Sequence, residues 1–248
     1  MNDWKQQGAI WQLRPARPQA LVEFIGGSYL AATPQVSYRR LLEELSARGL
    51  AVHAWSYVPG FDHQSQARQA WQDFRTARRQ LEDRCGALPS ALRLGHSLGC
   101  KIHLLAPDGG RSCSSLVALS FNNFRADRSI PLLGEIAPRL GVTTEFSPSP
   151  QETLRLINCR YLQSRNLVVR FDQDELDQSH DLITALQQRN NDASELKRLP
   201  GDHLTPASAG LRRSLLGDWA EGDNRQRQIE HLRDLIVSWS SLGSSIDQ

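Results

Sequence analysis

At 248 residues, with 40% hydrophobic and 23% charged residues, the chain has the length and composition of one sizeable α/β domain. A formal net charge of +2 without blocks of like charge excludes an acidic tail and a nucleic-acid surface; pairs such as Arg39-Arg40, Arg78-Arg79 and Arg212-Arg213 read as solvated helix faces. No apolar run approaches the ~18 residues of a membrane span, and Met1 to Pro18 holds no signal-peptide core, so a cytoplasmic location is expected.

Taken in order, residues 9–13 suggest an edge strand, and Leu21 to Ile25 a second strand that ends in Gly26-Gly27-Ser28. Tyr38, Leu41, Leu42 and Leu45 follow i, i+3, i+4, i+7 and predict a helix with Gly49 at its C-terminal cap. Leu50 to Tyr57 reads as a strand closed by Pro59-Gly60. Asp62 is placed to cap a long helix carrying Ala67, Ala70, Trp71, Phe74 and Leu81 on one face. Ala91 to Leu94 is strand-length, and Lys101 to Ala106 continues as a helix ended by Pro107-Asp108-Gly109-Gly110. Ser115 to Phe121 is a near-continuous apolar run of the kind buried in a parallel sheet.

The rhythm then breaks. Residues 122–165 contain four prolines and one clear helix, opened by the capping box Ser149-Pro150-Gln151-Glu152. So long an excursion between strands predicts a cap over the sheet edge, with Ile130, Leu132, Leu133, Ile136, Leu140 and Phe146 lining an acyl site or roofing the core. Asn166 to Phe171 is the next strand, then comes an acidic turn, a helix near Ser179 to Arg189, a strand near Glu195 to Leu199, and the loop Pro200-Gly201-Asp202-His203. A final amphipathic helix carries Ile229, Leu232, Leu235, Ile236 and Trp239. Alternating strands and helices predict a single α/β domain over 1–248, its sheet mainly parallel with helices on both faces and a small cap insertion at about 122–165.

Gly95, Ser97 and Gly99 form Gly-x-Ser-x-Gly between the predicted strand and helix. Ordinary residue usage produces this pattern in about one chain in ten, so the strand-turn-helix context carries the reading of a nucleophile elbow. A serine needs a base to take its proton and an acid to orient that base. Of the seven histidines, His203 alone sits in a Gly-containing loop after a late strand, where a reaching base belongs. Asp172, Asp174 and Asp177 compete for the acid. Asp174 is preferred, three residues beyond the strand end at Phe171, with Asp177 the alternative. The same turn fails as a calcium loop, because Asp177 stands where a glycine is required and Ile183 where the bidentate glutamate belongs. The oxyanion donors are expected to be the N–H of Leu98 and one from the Gly-Gly-Ser turn, where Gly27 is preferred over Ser28. Cys85, Cys100, Cys113 and Cys159 show no metal-ligand spacing and read as reduced thiols, with Cys100 filling space beneath the elbow. No cofactor, metal or nucleic-acid partner is expected, and the oligomeric state is not legible.

The elbow Gly-His-Ser-Leu-Gly, the earlier Gly-Gly, the later Asp turn and the late Gly-x-His together resemble the α/β-hydrolase superfamily. More narrowly, Phe24-Ile25-Gly26-Gly27, Phe61-Asp62-His63, Gly95 to Lys101, Ser120-Phe121-Asn122-Asn123, Glu145 to Pro150 and His203-Leu204-Thr205-Pro206 resemble an uncharacterised branch of it found in cyanobacteria and plants. One departure is Cys100, where glycine or alanine commonly follows the elbow. The resemblance implies a serine hydrolase or acyltransferase, and the activity expected of the chain is hydrolysis of a small-molecule ester or thioester. A non-catalytic binding or assembly protein on the same fold is the competing expectation.

Overall fold

The computed structural model of the chain describes residues 3–89, 91–125, 145–207 and 218–240. Its strands are β1 (Lys5–Gln7), β2 (Ile10–Leu13), β3 (Ala20–Ile25), β4 (Leu50–Trp55), β5 (Ala91–His96), β6 (Cys113–Leu119), β7 (Asn166–Phe171) and β8 (Glu195–Leu199). They form one sheet in the order β1-β2-β4-β3-β5-β6-β7-β8. All pairings from β4 across to β8 are parallel, and β1 and β2 add antiparallel at one edge.

Every residue of β3, β4 and β5 is buried, which explains why these strands read as continuous apolar runs rather than alternating ones. Two charged exceptions are matched. Glu23 of β3 lies opposite Arg93 of β5, and the Arg93 guanidinium also donates to both carboxylate oxygens of Asp108 at 3.0 and 2.8 Å.

The helices are α1 (Pro34–Ser37), α2 (Arg39–Ala47), α3 (His63–Cys85), α4 (Leu98–Leu104), α5 (Pro150–Arg160), α6 (Ser179–Gln187) and α7 (Asp218–Ser240). On one face of the sheet, Tyr38, Leu41, Leu42 and Leu45 meet Ile229, Leu232 and Ile236 of α7 over Val22, Phe24, Val52 and Leu94. On the other face α3, α4, α5 and α6 pack on the alternate residues, among them Ile25, Leu116, Ala118 and Val168. This arrangement of helices around a mainly parallel sheet is the α/β-hydrolase fold.

Several local expectations are met atom by atom. Asp62 caps α3, accepting the Ser65 N–H at 2.8 Å, and Gly49 follows α2 with φ 83°. Others differ. Helix α4, which starts directly after the serine at Leu98, ends at Leu104 rather than at Ala106. Trp71 is only half-buried on α3, with the Arg75 guanidinium 4.5 Å over its ring. The box opening α5 closes on one side only: Ser149 Oγ accepts the Glu152 N–H at 3.3 Å, while the Glu152 carboxylate turns outward to Arg155.

Of the expected cap, residues 126–144, and with them Ile130, Leu132, Leu133, Ile136 and Leu140, lie outside the described residues. Its two flanks leave and rejoin the fold at the end of the sheet where β5 and β6 terminate. Arg125 and Glu145 pair there at 2.8 Å, and Ser147 forms a parallel bridge with Asp62. Among the described residues, no helix is long and apolar enough to cross a membrane.

Candidate active site

The turn from β5 into α4 is tight because two glycines leave no room for anything else. A Cβ on Gly99 would lie 2.1 Å from the Ile25 carbonyl oxygen, and one on Gly95 would lie 2.7 Å from the Cys100 backbone. Between them Ser97 adopts φ 55° and ψ −122°, a conformation that L-residues rarely occupy and that functional turns hold under strain. The Ser97 N–H donates to the Leu119 carbonyl at 2.9 Å, locking the turn to β6. Cys100 packs beneath it, fully buried, and burial pushes its thiol pKa far up.

Two loops, after β7 and after β8, bring Asp174 and His203 to Ser97. After β7 the chain turns at once, with the Asp174 N–H bonded to the Phe171 carbonyl at 3.2 Å. The Asp174 carboxylate is fully covered; Oδ1 accepts the Leu176 N–H at 2.9 Å and Oδ2 faces His203 Nδ1 at 2.8 Å. After β8, Asp202 accepts the Leu204 N–H at 2.9 Å, and Gly201 at φ 135° packs against Thr205. That small knot aims His203 Nε2 at Ser97 Oγ, 3.2 Å away. A run of Asp174, His203 and Ser97 follows, with Nδ1–H donating to the carboxylate and the serine hydroxyl donating to Nε2. Burial alone would raise Asp174; the His203 hydrogen bond and charge outweigh it and hold the carboxyl below its usual value.

The other two acids of the turn are employed elsewhere. Asp172 pairs with Arg198 on the surface. Asp177 accepts the Ser179 N–H at 3.3 Å and its hydroxyl at 2.5 Å, satisfying the start of α6, and burial raises its pKa.

The Gly-Gly-Ser turn departs from expectation. The N–H of Gly27 does not face the Ser97 cleft as a free donor; it donates to Tyr38 Oη at 2.8 Å. That hydroxyl is 2.7 Å from His96 Nδ1, and His96 Nε2 is 2.8 Å from the His203 carbonyl oxygen. A carbonyl only accepts, so Nε2 carries the proton and Nδ1 accepts from Tyr38. Burial, with His203 beside it, lowers His96 to about 3, so the ring is neutral. The N–H groups of Ser28 and Leu98 have no acceptor among the described residues; Leu98 directly follows Ser97, and Ser28 follows Gly27, whose Cα lies against the serine. Sequence reasoning missed Tyr38 and His96 as parts of this site. The available signal was a tyrosine at a core helix position, whose hydroxyl needs a buried partner, and a histidine inside the elbow itself. Among the described residues, no three His, Cys, Asp or Glu side chains group to hold a metal ion.

A family model described as "Protein of unknown function (DUF1350)" matches residues 3–230. No curated protein matches the chain. Carboxyl esterase 2 from the mycorrhizal fungus Tuber melanosporum superposes with a TM-score of 0.62 at 15% identity, covering 96% of this chain and 82% of that one. The fluorophosphonate-binding serine hydrolase F of Staphylococcus aureus gives a TM-score of 0.55 at 17% identity, covering 94% and 97%. The thioesterase domain of the curacin biosynthetic pathway gives 0.55 at 11% identity, covering 96% and 99%. At these identities the likeness establishes the fold.

Proposed function

The chain belongs to the DUF1350 family and carries the α/β-hydrolase fold, and from that premise we propose that it is a serine hydrolase cleaving an ester or thioester of a small molecule. The observation that carries the reading is the hydrogen-bonded run from Asp174 through His203 to Ser97 Oγ. Ser97 attacks the carbonyl carbon as His203 Nε2 takes the hydroxyl proton, and Asp174 stabilises the imidazolium that forms. The tetrahedral oxyanion is held by the N–H of Leu98, at the positive end of α4, and by the N–H of Ser28, which replaces Gly27 in this role because the Gly27 donor is spent on Tyr38. His203 then protonates the leaving alcohol or thiol, and water completes the cycle through the same base. His96 and Tyr38 are positioning residues: they tie the oxyanion turn to the backbone of the catalytic histidine.

A fluorophosphonate probe tests the reading. Stoichiometric labelling that disappears in Ser97→Ala is expected. A folded wild-type chain that resists labelling and turns over no ester would point to a binding role on this fold instead.

A further inference from the structure

One turn along α4 from Ser97 lies Lys101, buried to 1% exposure. Its Nζ donates to the Pro148 carbonyl at 3.0 Å and sits 5.9 Å from the centre of the Phe146 ring. Among the described residues no carboxylate pairs with it, and burial alone lowers its pKa to about 7. Beside it is His63, equally buried, with no hydrogen-bond partner on either ring nitrogen among the described residues. Burial and the neighbouring Lys101 lower His63 to about 3, against a weaker pull from Asp62 and the Gly60 carbonyl. The half-buried Phe146 ring covers both, 4.4 Å from the imidazole. Backbone bonds staple the cover in place: the Ser147 N–H donates to the Phe61 carbonyl and the His63 N–H to the Ser147 carbonyl, each at 2.8 Å.

Buried polar groups in folded proteins find partners, and a buried ammonium ordinarily finds a carboxylate. Among the described residues, an ammonium with three N–H groups makes one hydrogen bond, and neither imidazole nitrogen makes one. The cluster is rich in donors and lacks an acceptor with several lone pairs. Its position relates it to the serine. Residues i and i+4 share a helix face with Cβ atoms about 5–6 Å apart, and helical side chains lean toward the N-terminus, which carries the Lys101 ammonium toward the level of Ser97.

We propose that Lys101 and His63 bind a free carboxylate on the substrate, so that the chain hydrolyses half-esters or half-thioesters of short dicarboxylic acids. This rests on the serine hydrolase reading above. The carboxylate takes the two unused ammonium N–H groups and the imidazole N–H, Phe146 shields the ion pair from water, and the short reach from Lys101 to Ser97 admits a spacer of only a few carbons. Larger acyl groups with no terminal charge leave the buried ammonium unpaired and are disfavoured.

Two measurements separate this from the hydrolase reading. In the first, binding of monoethyl succinate and of diethyl succinate to Ser97→Ala is followed by saturation-transfer NMR, with Ser97→Ala/Lys101→Met as the comparison. The half-ester is expected to bind the single variant, and the diester and the double variant to give no saturation transfer. In the second, a pH-stat compares monoethyl succinate with ethyl butyrate. Wild type is expected to favour the half-ester at least tenfold in kcat/KM, and Lys101→Met to bring that ratio close to one while melting higher, because a buried unpaired charge has been removed. A lysine kept only for packing and its Pro148 bond would melt lower when replaced and leave the ratio unmoved, and that result overturns the proposal. Should Lys101→Met not fold, the wild-type preference decides: equal rates on the two esters overturn it. Half-ester binding through Lys101 without turnover of either ester keeps the carboxylate site and removes the hydrolase reading.

Discussion

Lowering the pH from 7.5 to 5.5 should remove much of the stability of this fold, because four histidines are buried as neutral rings. His53, His63, His96 and His103 are each at most 3% exposed, with pKa values lowered by burial to about 4, 3, 3 and 3. Arg78 faces His53, Lys101 faces His63, and Arg93 faces His103, each disfavouring a second positive charge. In the unfolded chain the same rings protonate near pH 6.5, so below that pH the unfolded state binds more protons and stability falls with falling pH. The stabilisation is whole above about 6.5 and is lost toward the folded-state values of 3 to 4. One pKa unit corresponds to about 1.4 kcal/mol, so at pH 5.5 each ring costs about 1.4 kcal/mol and the four together about 5. Glu23 and Asp177 work against them, since burial raises both pKa values and their protonation favours the folded chain, but they are two groups against four. A loss of about 3–5 kcal/mol compares with total stabilities of about 5–15 for such domains. Urea unfolding at pH 7.5, 6.5 and 5.5 measures it, and His53→Gln should reduce the slope by about one proton. A change under about 1 kcal/mol over that range would refute the reasoning.

Asp174→Asn should lower kcat by about 10⁴ with little change in melting temperature, since the carboxylate orients His203. Asp177→Asn should instead cost about 1 kcal/mol of stability through the start of α6, with kcat nearly intact; a reversed outcome in this pair of variants would make Asp177 the acid. Tyr38→Phe strands the Gly27 N–H and removes the donor to His96, so it should destabilise by about 1–3 kcal/mol and lower kcat more than it raises KM. Gly99→Ala places a methyl group against the Ile25 carbonyl and should yield no soluble folded chain, judged by expression and circular dichroism.

What the sequence discloses here follows from whether a residue's role is local. The strands from Leu21 to Ile25 and from Asn166 to Phe171 are legible because burial on both faces demands unbroken apolar runs. Ser97 is legible because a strained turn tolerates only glycine at its flanks, and His203 because a reaching base belongs in a loop after a late strand. Strand β1 is not, since Lys5-Gln6-Gln7 has neither apolar content nor alternation and exists by pairing with β2. The destination of the Gly27 N–H depends on Tyr38, which the helical period marks only as core. Lys101 reads as an ordinary polar helix position, because nothing in its neighbours along the chain reveals that Pro148 and Phe146 close over it.

The backbone at Ser97 sets folding and chemistry against each other. Its φ of 55° with ψ of −122° is a region that glycine enters freely and a serine enters at a cost of about 1–3 kcal/mol. Ser97→Gly should therefore give a chain that melts above wild type, and above Ser97→Ala, which keeps the strained Cβ. A lineage released from catalysis would gain stability by drifting to glycine at this one position. On the proposed hydrolase reading, the hydroxyl is held there against that thermodynamic gradient.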